Sequence, residues 1–190
     1  MKVRSVNRAL AQPLALEGRR VMSAIAKQPA AGLVAVRPLG LAGDEQADLS
    51  VHGGLSKAIY AYPQAHYAFW QRVRAQAGAA GWGEALAPGS LGENLTVEGL
   101  VESELWVGDR WHLPHCMLVI SEPRMPCFKF NAAMSFNQAA KLMVQSGYCG
   151  SYLAVLEPGQ VQAGDAIQVE PGPREVGIGE LFRARARGRA

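Results

Sequence analysis

The sequence contains no long apolar run and no leader-like segment. No stretch approaches the ~18 consecutive apolar residues that a membrane-spanning helix requires, so we expect no membrane association. The N-terminal residues 1–8 alternate in polarity and carry three cations, and no secretory core of at least ~7 apolar residues follows them. The expected location is therefore the cytoplasm.

Cysteine is scarce, and its spacing excludes the common zinc patterns. Cys116, Cys127 and Cys149 form an odd set without a CxxC pair. A disulfide framework is not expected either, because disulfides are rare in reducing compartments. Cys116 and Cys149 occupy strand-like positions and are interpreted as packing residues.

Charge is also sparse, at 18% of residues, and the net charge of +3 comes from one place. Four arginines lie within residues 183–190; without them, 15 cationic side chains would face 16 acidic ones, a balance of −1. The body of the chain thus lacks the basic footprint of a nucleic-acid-binding protein. The arginine segment itself is predicted to be a solvated, frayed end that the fold does not need.

The 190 residues, 49% of them apolar, suit one globular domain. Short apolar or alternating segments bounded by Gly and Pro predict many strands, and two Gly-Asp pairs predict hairpin turns. Two segments show helical spacing. These patterns predict a mainly β fold, a closed or nearly closed barrel with a few short helices. The predicted elements are strands at 33–36 and 117–120, hairpins at 104–113 and 161–169, and helices at 63–76 and 138–145.

The most informative stretch is 121–129, with the sequence SEPRMPCFK. Cys127 lies between Arg124 and Lys129, and prolines 123 and 126 predict a rigid loop after the strand at 117–120. Nearby cations favour the thiolate, the form that binds metals and attacks electrophiles, and Arg and Lys also hold phosphate. On these residues alone, Cys127 could equally be a small buried hydrophobe.

The pattern Ser-x-Pro-Arg-x-Pro-Cys-x-Lys resembles the cysteine signature of MOSC proteins, specifically stand-alone bacterial members of the YiiM type. The family is named for the C-terminal domain of molybdenum cofactor sulfurase. The resemblance implies a β-barrel of the pyruvate-kinase type, with a MOSC domain over 1–170 and a short tail at 171–190 that lacks the family's full helical extension. Further motifs resemble the family, in its order, at 43–54, 57–63, 88–96 and 107–110.

The resemblance implies a molybdenum cofactor, a pterin with one dithiolene and a phosphate. Cys127 would be the protein ligand to molybdenum and the catalytic residue, since a soft thiolate suits a sulfur-rich site. The implied cofactor-binding residues are His52, Gly53, Gly54, Lys57, Asn94, Arg124 and Lys129.

Several of these residues have a structural alternative. The segment 52–54 could be a glycine turn with a surface histidine, and Asn94 could serve a left-handed turn instead of a pterin edge. Glu93 could act as an acid or base, although a solvated surface carboxylate is its ordinary role. Lys27 ranks below Lys57 and Arg124 as an anion contact, because a lone lysine is normally exposed.

The implied activity is the reduction of N-hydroxylated compounds, such as N-hydroxylated purines and amidoximes, with loss of oxygen as water. No flavin, haem or iron–sulfur motif is present and pyridoxal phosphate is not expected, so electrons would come from a separate reductase. The alternative function is a carrier of sulfur or of molybdenum cofactor, in which Cys127 holds a persulfide.

Overall fold

The computed structural model describes residues 1–16, 19–47 and 53–188, and over these it confirms the mainly β fold. Four short α-helices accompany the strands: α1 (Tyr67–Gln76), α2 (Phe128–Met134), α3 (Ala139–Ser146) and α4 (Ile178–Arg187). The strands are β1 (Lys2–Arg8), β2 (Gln12–Leu16), β3 (Arg19–Ser23), β4 (Gln28–Pro29), β5 (Val34–Arg37), β6 (Gly40–Leu41), β7 (Ile59–Pro63), β8 (Leu95–Glu98), β9 (Arg110–Leu113), β10 (Cys116–Pro123), β11 (Ser151–Glu157), β12 (Gly159–Val161) and β13 (Gln168–Glu170).

Eight strands form one large sheet in the order β13-β9-β10-β11-β7-β8-β1-β4. All neighbours in it are antiparallel except β7 and β8, which run parallel and are joined by the crossover that contains α1. A three-stranded sheet, β12-β5-β6, and the β2–β3 pair complete the β structure.

The large sheet curls until its two ends approach each other. The backbone of Val3 in β1 is hydrogen bonded to residues just before β13: Val3 N donates to Asp165 O at 2.9 Å, and Gly164 N donates to Val3 O at 2.8 Å. Ile167 N donates to Met1 O at 2.9 Å. These bonds pair backbone groups that a sheet edge would leave open, so the sheet is a nearly closed barrel, as predicted.

The core lies inside this curled sheet and beneath the helices. Its largest fully buried side chains are aromatic or long and aliphatic, and their removal from water is the main stabilising contribution. They include Trp70 of α1, Phe130 of α2, Trp111, Tyr62, Ile59, Leu118 and Phe182 of α4. Across the described ranges, we find no helix with the length and apolar character needed to cross a bilayer.

The helix predicted at 138–145 is confirmed as α3, which is capped by Gly147 with a φ of 74°. The helix predicted at 63–76 is confirmed as α1 only from Tyr67 onward, because Pro63 ends β7 and residues 64–66 form a 3₁₀ helix. The two predicted hairpins are wrong. Gly108 and Gly164 do adopt positive φ in tight turns, but β9 pairs with β10 and β13, and β12 pairs with β5. A local turn signal therefore identified the turns and not the strands that pair, because pairing is decided by long-range contacts.

The prediction of a frayed arginine end is also wrong. Residues 178–187 form α4, which packs on β10 and the short 3₁₀ helix Glu102–Glu104. Ile178 and Phe182 are fully buried, whereas Arg183, Arg185 and Arg187 are exposed as expected. The apolar residues spaced four apart bury one face of the helix and leave the arginines in water.

Candidate functional site

A cleft encloses about 620 Å³ of space, part of it open to solvent, at one side of the barrel. Segments far apart in the chain form its walls. The described lining residues fall at 23–25, 27, 44–47, 53, 57, 60, 92, 94, 124, 127, 129 and 152.

Cys127 lies in this cleft, on the connection between β10 and α2. The connection is shorter than the predicted 121–129 loop, because residues 121–123 extend β10 and α2 begins at Phe128. Cys127 is half-buried and therefore reachable from the cleft. Cys116 and Cys149 are buried, and burial raises the pKa of Cys116 to about 11 and that of Cys149 well above its usual value. The packing roles expected of these two residues agree with their burial.

Arg124 contributes a buried positive charge to the cleft. Its side chain is 4% exposed, and its Cζ lies 5.0 Å from the ring centroid of Tyr60 and 4.8 Å from that of Phe130. Its Nη1 also approaches the sulfur of Met143 at 3.9 Å, a weak acceptor. No Asp or Glu among the described residues forms an ion pair with it. Burial alone would lower the pKa of Arg124, but its neighbours Tyr60, Tyr152 and Cys127 raise it, so the guanidinium stays charged and would attract an anion in the cleft.

A second charged group, the Lys27–Asp44 ion pair, also lines the cleft. Both side chains are buried, and burial lowers the pKa of Lys27 while Asp44 offsets part of that effect. The Asp44 carboxylate also accepts hydrogen bonds from Ala9 N at 2.9 Å and from Asn94 Nδ2 at 2.8 Å. The pair is thus largely self-neutralising, and Lys27 is not the exposed lysine that the sequence suggested.

Asn94 faces the cleft, but its amide already has protein partners. Its Oδ1 accepts from Tyr60 N at 3.0 Å, and its Nδ2 donates to Asp44 Oδ2 and, at 3.3 Å, to Asn7 O. Its backbone φ is not positive, so the left-handed turn considered for it does not occur. The Asn94 side chain therefore connects β7 to Asp44 and holds the cleft wall in place.

The surface role expected for Glu93 is wrong, since its side chain is fully buried. Its carboxylate accepts hydrogen bonds from Gly89 N at 2.8 Å, Leu91 N at 3.1 Å and Thr96 Oγ1 at 2.9 Å, and from the Tyr67 hydroxyl. Burial raises the pKa of Glu93, and these hydrogen bonds partly offset the rise. Glu93 thus shapes the loop before β8 from inside.

The glycine turn is only partly described. His52 lies outside the described residues, Gly53 lines the cleft with a φ of 92°, and Gly54 has a φ of 79° without lining it. Lys57, at the end of the 3₁₀ helix Leu55–Lys57, also lines the cleft. Positive φ at consecutive positions favours glycine, which is the physical reason for the Gly-Gly pair.

Lys129 lies on the first turn of α2, and its ammonium group donates to the carbonyl of Met22 at 2.8 Å. This bond joins α2 to the β2–β3 pair at the rim. Four cationic and two acidic side chains line the described cleft, a formal balance of +2: Lys27, Lys57, Arg124 and Lys129 against Asp44 and Glu45. The cleft therefore has the electrostatic character of an anion site.

The structure thus brings six of the eight residues proposed from sequence to one cleft: Gly53, Lys57, Asn94, Arg124, Cys127 and Lys129. Sequence reasoning missed three other lining residues, Tyr60, Tyr152 and Asp44. Tyr60 and Tyr152 lie 5.4 Å apart between ring centroids, on adjacent strands. The alternation of β7 and β11 could have placed them on one face, but not beside Arg124.

Two other histidines, His66 and His112, have structural partners outside the cleft. His66 is buried and its Nε2 forms a 2.6 Å hydrogen bond with the Glu102 carboxylate. Its ring stacks on that of Tyr148 with 3.7 Å between the centroids. His112 pairs with Glu170 at 2.8 Å. Within the described part of the chain, no group of three or more His, Cys, Asp or Glu side chains could hold a metal ion. A metal in this cleft would need donors from a bound cofactor in addition to Cys127.

Comparison with known sequences shows one family and several relatives. The MOSC domain family model matches residues 48–168. The chain is 35% identical over 167 residues to YflK of Bacillus subtilis, covering 88% of this chain and 72% of YflK. It is 36% identical over 147 residues to YiiM of Escherichia coli, covering 77% and 63%. A protein of Gibberella moniliformis named "Reductase" is 32% identical over 173 residues, covering 88% of this chain and 30% of that protein.

Solved structures show the same relationship. The crystal structure of YiiM from Geobacillus stearothermophilus matches with a TM-score of 0.77 and 28% identity, covering 99% of this chain and 85% of that one. Escherichia coli YiiM matches with a TM-score of 0.70 and 26% identity, covering 96% and 76%. In the sequence alignments the matched region is shorter, and this chain spans less than two thirds of E. coli YiiM and less than a third of the protein named "Reductase".

Proposed function

Because this chain belongs to the MOSC domain family, as its motifs predicted, we propose that its cleft binds molybdenum cofactor and that the protein reduces N-hydroxylated compounds. MOSC domains are associated in general with that cofactor, and one relative is named a reductase. The specific cofactor, substrate class and reaction are our proposal.

The donor set of the cleft is compatible with such a cofactor. A molybdenum–dithiolene group brings sulfur ligands of its own, and the half-buried thiol of Cys127 offers one more soft donor. The phosphate of the pterin requires cations, and the lining balance of +2 supplies them. The observation that carries the proposal is the buried Arg124, which lacks a carboxylate partner among the described residues and shares the cleft with Cys127.

Several of the lining residues then have a role in binding. Arg124 and Lys57 would bind the anionic group. The Lys129 ammonium group donates one N–H to Met22 O, and its other N–H groups would be available to the same anion. Asn94 and Asp44 would hold the wall and its backbone groups against the pterin.

The proposed reaction is a two-electron reduction. An N-hydroxylated compound, two electrons and two protons give the N–H compound and one water, so the N–O bond breaks and nitrogen is reduced. Molybdenum cofactor, when bound, would supply the two-electron chemistry at the N–OH group. A separate reductase would deliver the electrons.

Molybdenum content tests the assignment of Cys127. We expect about one molybdenum and one pterin per chain after expression in a cofactor-producing host, measured by elemental analysis and by fluorescence of the oxidised pterin. Cys127→Ala should lose the metal. Cys116→Ala removes an equally sized thiol from a buried position and should retain it. Full loading of Cys127→Ala would show that the ligand assignment is wrong.

Turnover separates the enzyme from the carrier alternative. Loaded protein given reduced viologen should convert an amidoxime many times per chain. A sulfur or cofactor carrier would instead transfer its cargo once to an acceptor apoenzyme. Activation of an apoenzyme by loaded protein that turns over no N–OH compound would replace our proposal by the carrier function.

A further inference from the structure

One carboxylate, that of Glu122 on β10, connects the C-terminal helix to the cleft. Arg185 of α4 donates from Nη1 to Glu122 Oε2. The other oxygen, Oε1, accepts a long hydrogen bond of 3.5 Å from Ser56 Oγ. Ser56 is the central residue of the 3₁₀ helix Leu55–Lys57, which follows the glycine turn and ends with the cleft-lining Lys57.

The local geometry of β10 explains how Glu122 and Ser121 reach this helix. The register between β10 and β11 shifts between Ile120 and Glu122, so the strand is irregular at Ser121. Such irregularities redirect side chains and are common beside functional sites. Ser121 Oγ donates to the carbonyl of Ser56. Two successive side chains of β10 therefore hold both the backbone and the hydroxyl of Ser56.

The helix that supplies Arg185 is firmly placed. Ile178 and Phe182 of α4 are fully buried, and Ile178 N donates to Leu105 O at 2.9 Å. Arg183 and Arg187 lie on the same helix, are exposed and form no ion pair among the described residues. Of these three arginines, only Arg185 forms an ion pair with β10 among the described residues, at Glu122, which lies two residues before Arg124.

We propose that Arg185 is a positioning residue of the cleft. Through Glu122 and Ser56 it holds the segment 53–57, and with it the ammonium group of Lys57, in place for an anionic ligand. The inference rests on the proposed function for the identity of that ligand, a phosphate-bearing cofactor. The C-terminal helix α4 thereby supports the binding site, although none of the residues of α4 lines the cleft.

The exposure of the contacts sets the size of the effect. The Arg185 side chain is 41% exposed and that of Glu122 is 16% exposed, so solvent screens the ion pair. Exposed pairs of this kind change equilibria by about two- to five-fold. Loss of Arg185 should therefore loosen the segment measurably without unfolding it.

Amide hydrogen exchange on the full-length, metal-free protein tests the coupling directly. The reporter is the amide of Lys57, which donates to Gly54 O at 3.2 Å, and the internal control is the amide of Leu181, which donates to Gly177 O at 2.9 Å within α4. Arg185→Gln should speed exchange at Lys57 by about two- to five-fold and leave Leu181 unchanged. Arg187→Gln is the matched control and should alter neither, and Arg185→Lys should restore slow exchange at Lys57.

Cofactor retention provides the second measurement. Molybdenum should leave the loaded Arg185→Gln protein about two to five times faster than it leaves wild type or Arg187→Gln. Equal exchange and equal release in the two glutamine variants would overturn the inference, as would acceleration at Leu181 that Arg185→Lys does not restore. If wild type takes up no molybdenum, the proposed function fails, whereas the exchange experiment on metal-free protein still decides the role of Arg185.

Discussion

The C-terminal helix α4 should be required for stability, and Phe182→Ala tests this requirement at one position. Phe182 is 0% exposed and belongs to the main apolar core, together with Ile178 one turn earlier. The arginine-rich composition of this segment gives no indication that Ile178 and Phe182 are buried in the core. Truncation after Glu180 would remove Phe182 and Arg185 together, so we expect it to destabilise the fold and to loosen the cleft.

The magnitude follows from the complete burial of the ring. Truncating a fully buried Phe to Ala removes the ring from an apolar environment and leaves a cavity, which costs about 3–5 kcal/mol in free energy of unfolding. For a chain of this size each kcal/mol lowers Tm by about 2–4 °C, so the expected fall is about 6–20 °C. Arg187→Ala, at an exposed position on the same helix, should change the free energy of unfolding by no more than about 0.5 kcal/mol.

Urea denaturation followed by intrinsic tryptophan fluorescence measures both variants. The slope with denaturant must be compared between them, because a changed slope would indicate a changed denatured state or loss of two-state unfolding. A loss below about 1 kcal/mol for Phe182→Ala would be too small for a buried aromatic ring. It would mean that α4 does not pack on the barrel in solution, and the inference on Arg185 would lose its structural basis.

Two further predictions concern the cleft. In folded protein at pH 8, iodoacetamide should modify Cys127 alone. Cys116 is buried with a pKa of about 11, so only about one part in a thousand of it would be thiolate. Mass spectrometry that showed rapid modification of Cys116 or Cys149 would contradict their burial. Gly92→Ala should lower the free energy of unfolding by about 1–3 kcal/mol more than Gly83→Ala. The two glycines have similar φ, 85° and 82°, but a Cβ at Gly92 would lie 2.9 Å from Ile25 Cγ1, while one at Gly83 would meet nothing within 4 Å. If urea denaturation gave the same loss in free energy of unfolding for both variants, the Ile25 side chain would move aside at no cost.

The motifs on the cysteine loop and around the glycines were enough to indicate the family and the barrel. They also indicated six of the described residues that line the cleft, although most of its lining residues were not proposed from sequence. The spacing of apolar residues located α1 and α3 because helical periodicity is a local property. The boundary at residue 170, between the MOSC domain and the short C-terminal tail, stays a prediction.

Errors of interpretation arose where a residue's surroundings come from distant segments. Glu93 was expected at the surface, but Tyr67, Gly89 and Thr96 surround it with donors. Lys27 was expected to be exposed, but it is paired with Asp44, 17 residues away. A charged side chain is buried only when the fold supplies its partner, and such partners leave no periodic signal.

The sequence by itself determined the family, the turns at its glycines and the cation–cysteine–cation order of the loop, because these depend on residue type and short spacing. Only the tertiary structure decided that Arg124 lies between Tyr60 and Phe130, and that α4 reaches β10 through Arg185. Both arrangements depend on strand pairing and helix docking across many intervening residues. The free energy of burying side chains from the whole chain selects such contacts, and no local segment encodes them.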